Sequence, residues 1–309
     1  MTTQLVEMLA RETGADISTL SRLIDSSPVR YKVYSIPKRN GNGSRTIAQP
    51  AKEVKLLQRI VVSKWLNQLP VHDAAHAYRQ GRGIRTHAAV HMSARYLLKL
   101  DFVDFFPSLR PEDLRKHLTK YAQGIFPRRE VSELCHLLFW RPRGSKAVRL
   151  SIGAPSSPFI SNTLVFDVDV LCSTLAAERS AKYTRYADDL CFSTEAAHAM
   201  DDLAPAIASG LNGLAYPRLK LNEAKTVFAS MKGRRSITGV TLNNDGQLSL
   251  GRAKKRLIRA MKHADLEGRL DGVSQRKLQG LLAHANDIEP SFVERLTATS
   301  RRFLSSRNG

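Results

Sequence analysis

Two adjacent carboxylates inside a run of strand-forming residues place the strongest constraint on how this chain folds. Asp188 and Asp189 lie within residues 184–193 (TRYADDLCFS), with apolar and aromatic residues on both sides. Consecutive side chains on a strand point to opposite faces, so the two carboxylates can share one site only if the backbone turns there. The pattern predicts a tight hairpin with the acids at its tip, although an Asp-Asp pair can also simply end a strand.

A metal site needs at least a third carboxylate, and residues 96–101 supply a candidate. YLLKL is a short apolar strand that ends at Asp101, and Asp104 follows three residues later as an alternative. Active-site acids are common at strand ends, where the chain leaves the core. Asp167 and Asp169 fall within a predicted helix, 160–178, and we expect them to pair with cations or face solvent. Converging carboxylates of this kind hold the two Mg²⁺ ions that assist phosphoryl transfer.

The charge balance favours a polyanionic partner. The 309 residues include 48 basic and 28 acidic side chains, a net charge of +20. An apolar run of about 18 residues, as a membrane span needs, is not found, so nucleic acid is the favoured partner over a membrane. The tail, 252–304, is predicted to be helical, with Leu257, Met261 and Ala264 on its apolar face and cations on the rest.

Cysteine and histidine indicate neither disulfides nor zinc. Cys135, Cys172 and Cys191 lie in apolar surroundings without CxxC spacing, which is typical of reduced core residues in a cytoplasmic protein. The nine histidines show no zinc-ligand spacing.

Several loops are candidate phosphate sites. Strand patterns on either side of the NGNG turn at 40–43 predict a hairpin with Lys38, Arg39 and Arg45 near its tip, either a lid over a triphosphate or a solvated loop. Residues 151–162 (SIGAPSSPFISN) carry small side chains that permit close approach of a ligand. A turn at 222–225 presents Lys225.

Four strings in order resemble the conserved blocks of reverse transcriptases: LKLDFVDFFPSL, IGAPSSPFISN, RYADDL and LNEAKTVFAS. More narrowly, VYSIPKR with RTIAQPAK, HAAVH at 87–91 and SITG at 236–239 resemble blocks of bacterial retron reverse transcriptases, so that the resemblance covers about 30–300. It implies an α+β right-hand polymerase with fingers, an antiparallel-sheet palm and a helical thumb. We expect N-terminal helices and fingers over 1–95, the palm over 96–243 with part of the fingers inserted around 112–150, and the thumb over 244–309.

The resemblance also assigns roles to residues. Asp101, Asp188 and Asp189 would bind two Mg²⁺ ions, Lys225 would protonate the pyrophosphate, and Phe106 would exclude a ribose 2′-OH. The residues expected to bind the nucleotide are Lys38, Arg39, Arg45, Phe102, Phe106, Gly153, Ala154 and Pro155. His91, of the HAAVH string, is expected to bind nucleic acid. The positions of cations in the sequence itself add Arg82, Arg252, Lys255, Arg256 and Arg259 to that expectation.

The function implied is synthesis of branched RNA–DNA (msDNA) from dNTPs on a structured noncoding RNA, primed from a guanosine 2′-OH. Host RNase H would remove the template. The chain would act in antiphage defence, with a neighbouring ATPase and HNH nuclease as its effector. Two alternatives are a non-retron reverse transcriptase, of the group II intron or diversity-generating type, and a noncatalytic RNA-binding scaffold of the same fold.

Three positions depart from the family's pattern. Ile152 stands where many relatives have Gln, His87 replaces the Asn of the Asn-Ala-x-x-His string, and Ile237 replaces Val in Val-Thr-Gly. None of these positions is a predicted metal ligand, so we expect them to affect recognition of partners rather than catalysis.

Overall fold

The computed structural model describes residues 2–38 and 43–305, which fold into helices and short antiparallel strands. The helices are α1 (Gln4–Thr13), α2 (Ile17–Ser26), α3 (Lys52–Val61), α4 (Ile84–Val90), α5 (Phe105–Ser108), α6 (Pro111–Tyr121), α7 (Arg128–Leu138), α8 (Ser157–Leu164), α9 (Phe166–Ala177), α10 (Leu203–Gly213), α11 (Arg252–Leu266), α12 (Gly272–Ile288) and α13 (Pro290–Ser305). The strands are β1 (Tyr31–Pro37), β2 (Ser44–Pro50), β3 (Tyr96–Asp101), β4 (Lys182–Tyr186), β5 (Asp189–Thr194), β6 (Val227–Ser230), β7 (Arg235–Ile237), β8 (Val240–Leu242) and β9 (Leu248–Ser249). The predicted α+β class is confirmed.

A four-stranded antiparallel sheet in the order β4-β5-β3-β6 positions the acidic residues. Its two inner strands bury Leu98, Leu100, Leu190 and Phe192 almost completely in the larger of two hydrophobic cores. Each such side chain contributes about 1.5–3 kcal/mol when it leaves water. The helices α6 to α10 supply the other side of this core, so the ends of β3 and β5 lie at the edge of a rigid layer.

The N-terminal helices end and begin where capping chemistry predicts. Gly14 adopts the left-handed conformation, φ 70°, and its N–H donates to the carbonyl of Ala10 at the end of α1. Asp16 caps α2 by accepting a hydrogen bond of 2.8 Å from the N–H of Thr19. The apolar faces of both helices pack into the larger core.

Strands β1 and β2 form the predicted hairpin as a two-stranded ribbon, paired from Tyr31 opposite Pro50 to Pro37 opposite Ser44. Most of β1 is exposed, and the ribbon is anchored near its base, where the N–H of Ala48 donates to the carbonyl of Ile152 at 2.9 Å. Arg39 lies outside the described residues.

A second hydrophobic core joins the small sheet β7-β8-β9 to α11, α12 and α13. Ile237 and Val240, which the sequence placed with the palm, pack in this core with the helices assigned to the thumb. Met261 of the predicted apolar face of α11 packs against this core. The prediction was wrong for Leu257, which is 44% exposed, whereas its neighbour Ile258 is fully buried.

Within the described residues, no single helix is long and apolar enough to cross a bilayer. The helices α8 and α9 together reach that length and composition, but they are bent by 50° at their junction. Both bury side chains in the larger core.

Candidate active site

The hairpin β4-β5 and the end of β3 bring three carboxylates together. Ala187 adopts a left-handed backbone, φ 57°, which turns the chain so that Asp188 lies in the turn and Asp189 begins β5. Asp189 is paired directly opposite Asp101, the last residue of β3. The hairpin predicted from the sequence is therefore confirmed, and the sheet register places Asp101 beside it.

Lys225 is bound to Asp101. The N–H of Asn222 donates to the carbonyl of Asp101 at 2.7 Å, and the short helical turn that follows carries Lys225 back over the sheet. Its Nζ lies 2.9 Å from both carboxylate oxygens of Asp101, which is itself almost completely buried. Partial burial opposes the charge of Lys225, but the hydrogen bonds and charge of Asp101 hold the pKa of Lys225 above its ordinary value. This pair neutralises one of the three carboxylates.

Burial and the neighbouring negative charges disfavour the ionised forms of the other two carboxylates. Desolvation and the negative charge of Asp101 raise the pKa of Asp188. Desolvation together with the charges of Asp188 and Asp101 raises the pKa of Asp189 to about 6. A cation placed between these groups would stabilise their charged forms.

The donor set fits a hard divalent cation such as Mg²⁺, which prefers carboxylate oxygens. As the side chains stand, no group of three or more His, Cys, Asp or Glu residues in the described part of the chain is arranged to hold a metal ion. In this arrangement, Lys225 contacts both oxygens of Asp101.

A cavity of about 1700 Å³ opens beside the carboxylates, under the ribbon β1-β2. Asp188 and Lys225 line the cavity, and so do Lys38 and Arg45 of the ribbon. Neither Lys38 nor Arg45 has an ion-pair partner among the described residues, so both remain available to an anionic ligand.

Aromatic residues after β3 form the floor of this cavity. The side chain of Phe102 is almost completely buried and stacks on Phe105, with ring centroids 5.8 Å apart, so packing limits its predicted contact with a nucleotide. Phe106 is only partly buried and lines both this cavity and a smaller one of about 320 Å³.

The smaller cavity is lined by Gly153, Ala154 and Pro155, three of the residues predicted to bind a nucleotide. Gly153 has φ +123°, and a Cβ atom there would lie 3.1 Å from the carbonyl oxygen of Ala48. The small residues thus permit the ribbon to approach this segment. Ile152 stands where many relatives have Gln, and its carbonyl accepts the hydrogen bond from the N–H of Ala48. At this position the backbone therefore anchors the ribbon.

The remaining acids near the sheet have other roles. Asp104 is exposed and adopts a left-handed backbone, φ 44°, beyond the end of β3 and ahead of α5. Asp167 pairs with Lys120 at 2.8 Å. Asp169 pairs with Arg185, and both side chains have no exposed surface. The expectation that the two helical acids pair with cations is confirmed.

Sequence reasoning missed the role of Arg185. Its Nε and Nη2 donate to the two oxygens of Asp169 at 2.8 and 2.7 Å. Its Nη1 donates to the carbonyl of Ala187 and to the side chain of Asn162, both at 3.0 Å. The buried ion pair therefore supports, from behind, the turn that carries Asp188. A cation in the middle of a predicted buried strand was the signal available, because buried Arg requires a partner.

His91 was predicted to bind nucleic acid, but it has no exposed surface. Its Nε2 lies 2.6 Å from the hydroxyl of Thr184, and its Nδ1 lies 2.7 Å from that of Ser193. A fully buried side chain cannot contact a nucleic acid in this conformation, so the predicted contact is replaced by a structural bond between α4 and the hairpin. His87, at the second departure from the family pattern, also bonds Thr184, through Nδ1 at 2.7 Å.

The predicted basic residues differ in how far they are engaged within the protein. Arg82 binds the carboxylate and carbonyl of Asp73. Lys255 pairs with Glu289 at 2.6 Å, and the Arg259 guanidinium lies 5.3 Å from the ring centre of Phe292. Arg252 and Arg256 are exposed on α11 without an ion pair among the described residues. Their predicted contacts with nucleic acid stay predictions.

A sequence model of the family described as "Reverse transcriptase (RNA-dependent DNA polymerase)" matches residues 36–255. The chain is 41% identical over 279 residues to the retron Ec83 reverse transcriptase of Escherichia coli, covering 89% of this chain and 88% of that protein. It is 33% identical over 277 residues to the retron Ec73 reverse transcriptase of Escherichia coli, with 87% of each chain covered. Among solved structures, a telomerase of Candida albicans in complex with a fragment of telomeric RNA matches with a TM-score of 0.48 and 15% identity, over 94% of this chain and 61% of that chain.

Proposed function

The chain belongs to the reverse transcriptase family and within it to the retron enzymes, and from that premise we propose that Asp101, Asp188 and Asp189 form the catalytic centre of its RNA-directed DNA polymerase. The observation that carries this assignment is the register of the sheet, which sets Asp101 opposite Asp189 with Asp188 in the adjoining turn. The turn residue Asp188 also faces the cavity that receives Lys38 and Arg45.

Polymerases of this family generally use divalent metal ions. We propose that the three carboxylates hold two Mg²⁺ ions, which would supply charge neutralisation and activation of the attacking hydroxyl. The raised pKa values of Asp188 and Asp189 support this, since the two groups repel each other without a cation.

The protein's own residues would orient the incoming dNTP. The exposed cations Lys38 and Arg45 would bind the triphosphate, and Phe106 would contact the sugar from the floor of the cavity. A primer hydroxyl would then attack the α-phosphorus in line with the departing pyrophosphate. Such positioning is the main contribution that a polymerase scaffold makes to the rate.

Lys225 is the proposed general acid for the pyrophosphate. Its raised pKa keeps it protonated at neutral pH, as a proton donor requires. Its Nζ is held by Asp101 in this structure, so the role requires Lys225 to exchange Asp101 for the leaving group.

We further propose that the template is a structured noncoding RNA and that synthesis starts from a guanosine 2′-OH, giving branched msDNA. Support comes from the retron names of the relatives, which extend over most of this chain. Removal of the copied RNA by host RNase H and a role in antiphage defence with an ATPase and an HNH nuclease complete the proposal.

The test is to purify the wild type and the Asp188→Asn/Asp189→Asn variant from cells that carry the native locus, and to extract the nucleic acid that co-purifies. DNA joined to RNA through a 2′,5′ linkage is expected in the wild type alone. The matched control, Asp104→Asn, removes an exposed acid beside the same cavity and is expected to retain the product. RNA without DNA in all three samples would instead indicate a noncatalytic scaffold, and linear DNA without a branch would reject retron priming.

A further inference from the structure

Part of the lining of the large cavity is a loop rich in cations. Residues 141–148 (RPRGSKAV), here called the basic loop, connect Trp140 to Arg149, which pair through two backbone hydrogen bonds of 2.8 and 2.9 Å. The N–H of Arg141 also donates to the carbonyl of Pro28 at 2.8 Å, and Arg110 donates to the carbonyl of Val148. The loop is therefore held at both ends against the rest of the protein.

The basic loop carries positive charge that no ion pair neutralises among residues 2–38 and 43–305. Arg141, Arg143 and Lys146 are exposed and line the cavity, and the loop contains no acidic residue. Together with Arg149, they have no ion-pair partner in the described part of the chain, and the Nε of Arg149 is buried without a hydrogen-bond partner. The acidic residues that line the cavity are Asp104, between β3 and α5, and Asp188, in the turn between β4 and β5, and neither belongs to the loop. A ligand at the loop must therefore be anionic.

The wall beside the basic loop is aromatic and apolar. The Arg149 guanidinium lies 5.9 Å from the ring centre of Trp140, and Tyr31 lies 6.2 Å from the same indole. Val29 and Val33 line the cavity as well and are 62% and 50% exposed. Exposed apolar side chains at such a position indicate a partner that covers them.

A nucleotide alone accounts for only part of this cavity. The volume of about 1700 Å³ exceeds the roughly 300–1000 Å³ of an ordinary small-molecule site. Cations for phosphates, combined with aromatic and apolar side chains for unpaired bases, are the features with which proteins bind single strands. A base-paired duplex would present its phosphates but not the faces of its bases.

We propose that the basic loop and Trp140 bind an unpaired segment of polynucleotide, with phosphates on Arg141, Arg143 and Lys146 and a base against Trp140. This inference rests on the proposed polymerase function, in which the segment is an unpaired part of the RNA partner outside the template–primer duplex. The basic loop contributes none of the residues proposed for catalysis or for binding the dNTP, so its loss is expected to leave nucleotide addition on a short duplex intact.

The experiment measures two quantities on the same purified proteins. The first is the affinity for unpaired oligonucleotides of about 12 residues, as RNA and as DNA of the same sequence, by fluorescence anisotropy across a salt series. The second is extension of a short, fully annealed RNA–DNA template–primer. The variants are Arg141→Ala/Arg143→Ala/Lys146→Ala, Trp140→Leu and Trp140→Phe. The control, Arg22→Ala/Arg115→Ala/Arg128→Ala, removes the same charge from exposed residues outside the cavity.

The basic-loop triple variant is expected to weaken RNA binding by at least about tenfold. Its plot of log affinity against log salt should be less steep by about 2, since each of three phosphate contacts on a single strand contributes about 0.7 to the steepness. Trp140→Leu is expected to weaken binding by roughly tenfold with the salt slope unchanged, whereas Trp140→Phe keeps a ring for stacking and stays close to the wild type. The control triple variant and the short-duplex extension of all variants should remain near wild-type values.

Equal losses in the basic-loop and control triple variants would overturn the proposal, because they would show a general effect of net charge. Loss of short-duplex extension in the basic-loop variant would also overturn it, by showing that the loop serves the nucleotide. Tighter binding of DNA than of RNA would reject the RNA partner as the source of the segment. A wild type that binds RNA through the loop but extends no primer would refute the proposed polymerase site and leave this binding site standing.

Discussion

The buried pair of Arg185 and Asp169 allows stability and catalysis to be separated by mutation. Asp169→Asn leaves the guanidinium of Arg185 without a counter-charge, and Arg185→Met leaves the carboxylate of Asp169 without one. Because both side chains lack exposed surface, each single substitution is expected to lower the free energy of unfolding by about 3–5 kcal/mol.

The double variant, Asp169→Asn with Arg185→Met, removes both charges. It also retains an oxygen acceptor for the hydroxyl of Tyr183, which lies 2.7 Å from Asp169. If the two single losses were additive, the double variant would lose their sum. We expect it to be about 2–4 kcal/mol more stable than that sum predicts. The carbonyl of Ala187, however, still lacks the hydrogen bond that Arg185 donated at 3.0 Å.

DNA synthesis is therefore not expected to recover with stability. A left-handed, non-glycine residue such as Ala187 costs about 1–3 kcal/mol and persists only where its surroundings hold it. Release of the turn would displace Asp188, and a shift of about 1 Å in a catalytic group costs about 100-fold in rate. The measurements are urea unfolding and primer extension at a temperature where every variant is folded.

The matched control is the surface pair of Arg179 and Asp202, which has the same two-bond geometry at 3.0 and 2.7 Å but an exposed carboxylate. Asp202→Asn should leave both stability and synthesis close to the wild type. If the double variant recovers both stability and synthesis, Arg185 only fills the core, and its assigned role in holding the turn is refuted.

Three further predictions follow from the site and its surroundings. Phe106→Ala should raise incorporation of ribonucleotides relative to deoxyribonucleotides by at least about tenfold, since a good steric contact contributes 1–3 kcal/mol to discrimination; an unchanged ratio in single-nucleotide incorporation would remove Phe106 as the sugar gate. Gly153→Ala should lower the unfolding free energy by about 1–3 kcal/mol, because an alanine is strained at a φ of +123°. It should also raise the KM for dNTPs, because the new Cβ would lie 3.1 Å from the carbonyl oxygen of Ala48 and force the ribbon outward. Gly213→Ala is the control, since nothing lies within 4 Å of a Cβ there. Stability should also fall on acidification, because burial lowers the pKa of His87, His91 and His117 below the ordinary 6.5 and the unfolded chain then binds more protons than the folded one. The loss of unfolding free energy begins below pH 6.5 and reaches about 1.4 kcal/mol per histidine at pH 5.5. It continues toward the folded-state pKa values, which are about 2 for His87, about 3 for His91 and about 4 for His117. If urea unfolding showed a stability independent of pH between 7 and 5.5, the assignment of these histidines as buried and neutral would be contradicted.

Local features of the sequence were sufficient where one stretch of chain controls its own geometry. Strand formers on both sides of Asp188 and Asp189 predicted the hairpin, because the turn and both strands lie within residues 182–194. The caps at Gly14 and Asp16 were predictable for the same reason. The position of Asp101 at a strand end was also local, whereas its place opposite Asp189 depended on how the two strands pair.

The spacing of apolar residues predicted that α11 is a helix but did not decide whether Leu257 or Ile258 faces the core. Leu257 and Ile258 are both apolar and differ by about 100° around the helix axis, so the sequence contains no local reason to bury one rather than the other. Contact with the small sheet and with α12 and α13 buries Ile258. His91 shows the same limit, because its hydrogen-bonding partners, Thr184 and Ser193, lie on strands distant in sequence.

The sequence by itself determined the chemistry that is present: the acidic pair in a hairpin, an acid at a strand end, the cations near Lys38 and Lys225, and the excess of positive charge. Only the tertiary structure decided which of these groups meet, which are neutralised and which are left open to a ligand. The physical reason is that burial and pairing are properties of contacts between distant segments. Lys225 thus pairs with Asp101, Arg185 supports the turn from within the core, and the cations of the basic loop have no ion-pair partner in the part of the chain that the structure describes.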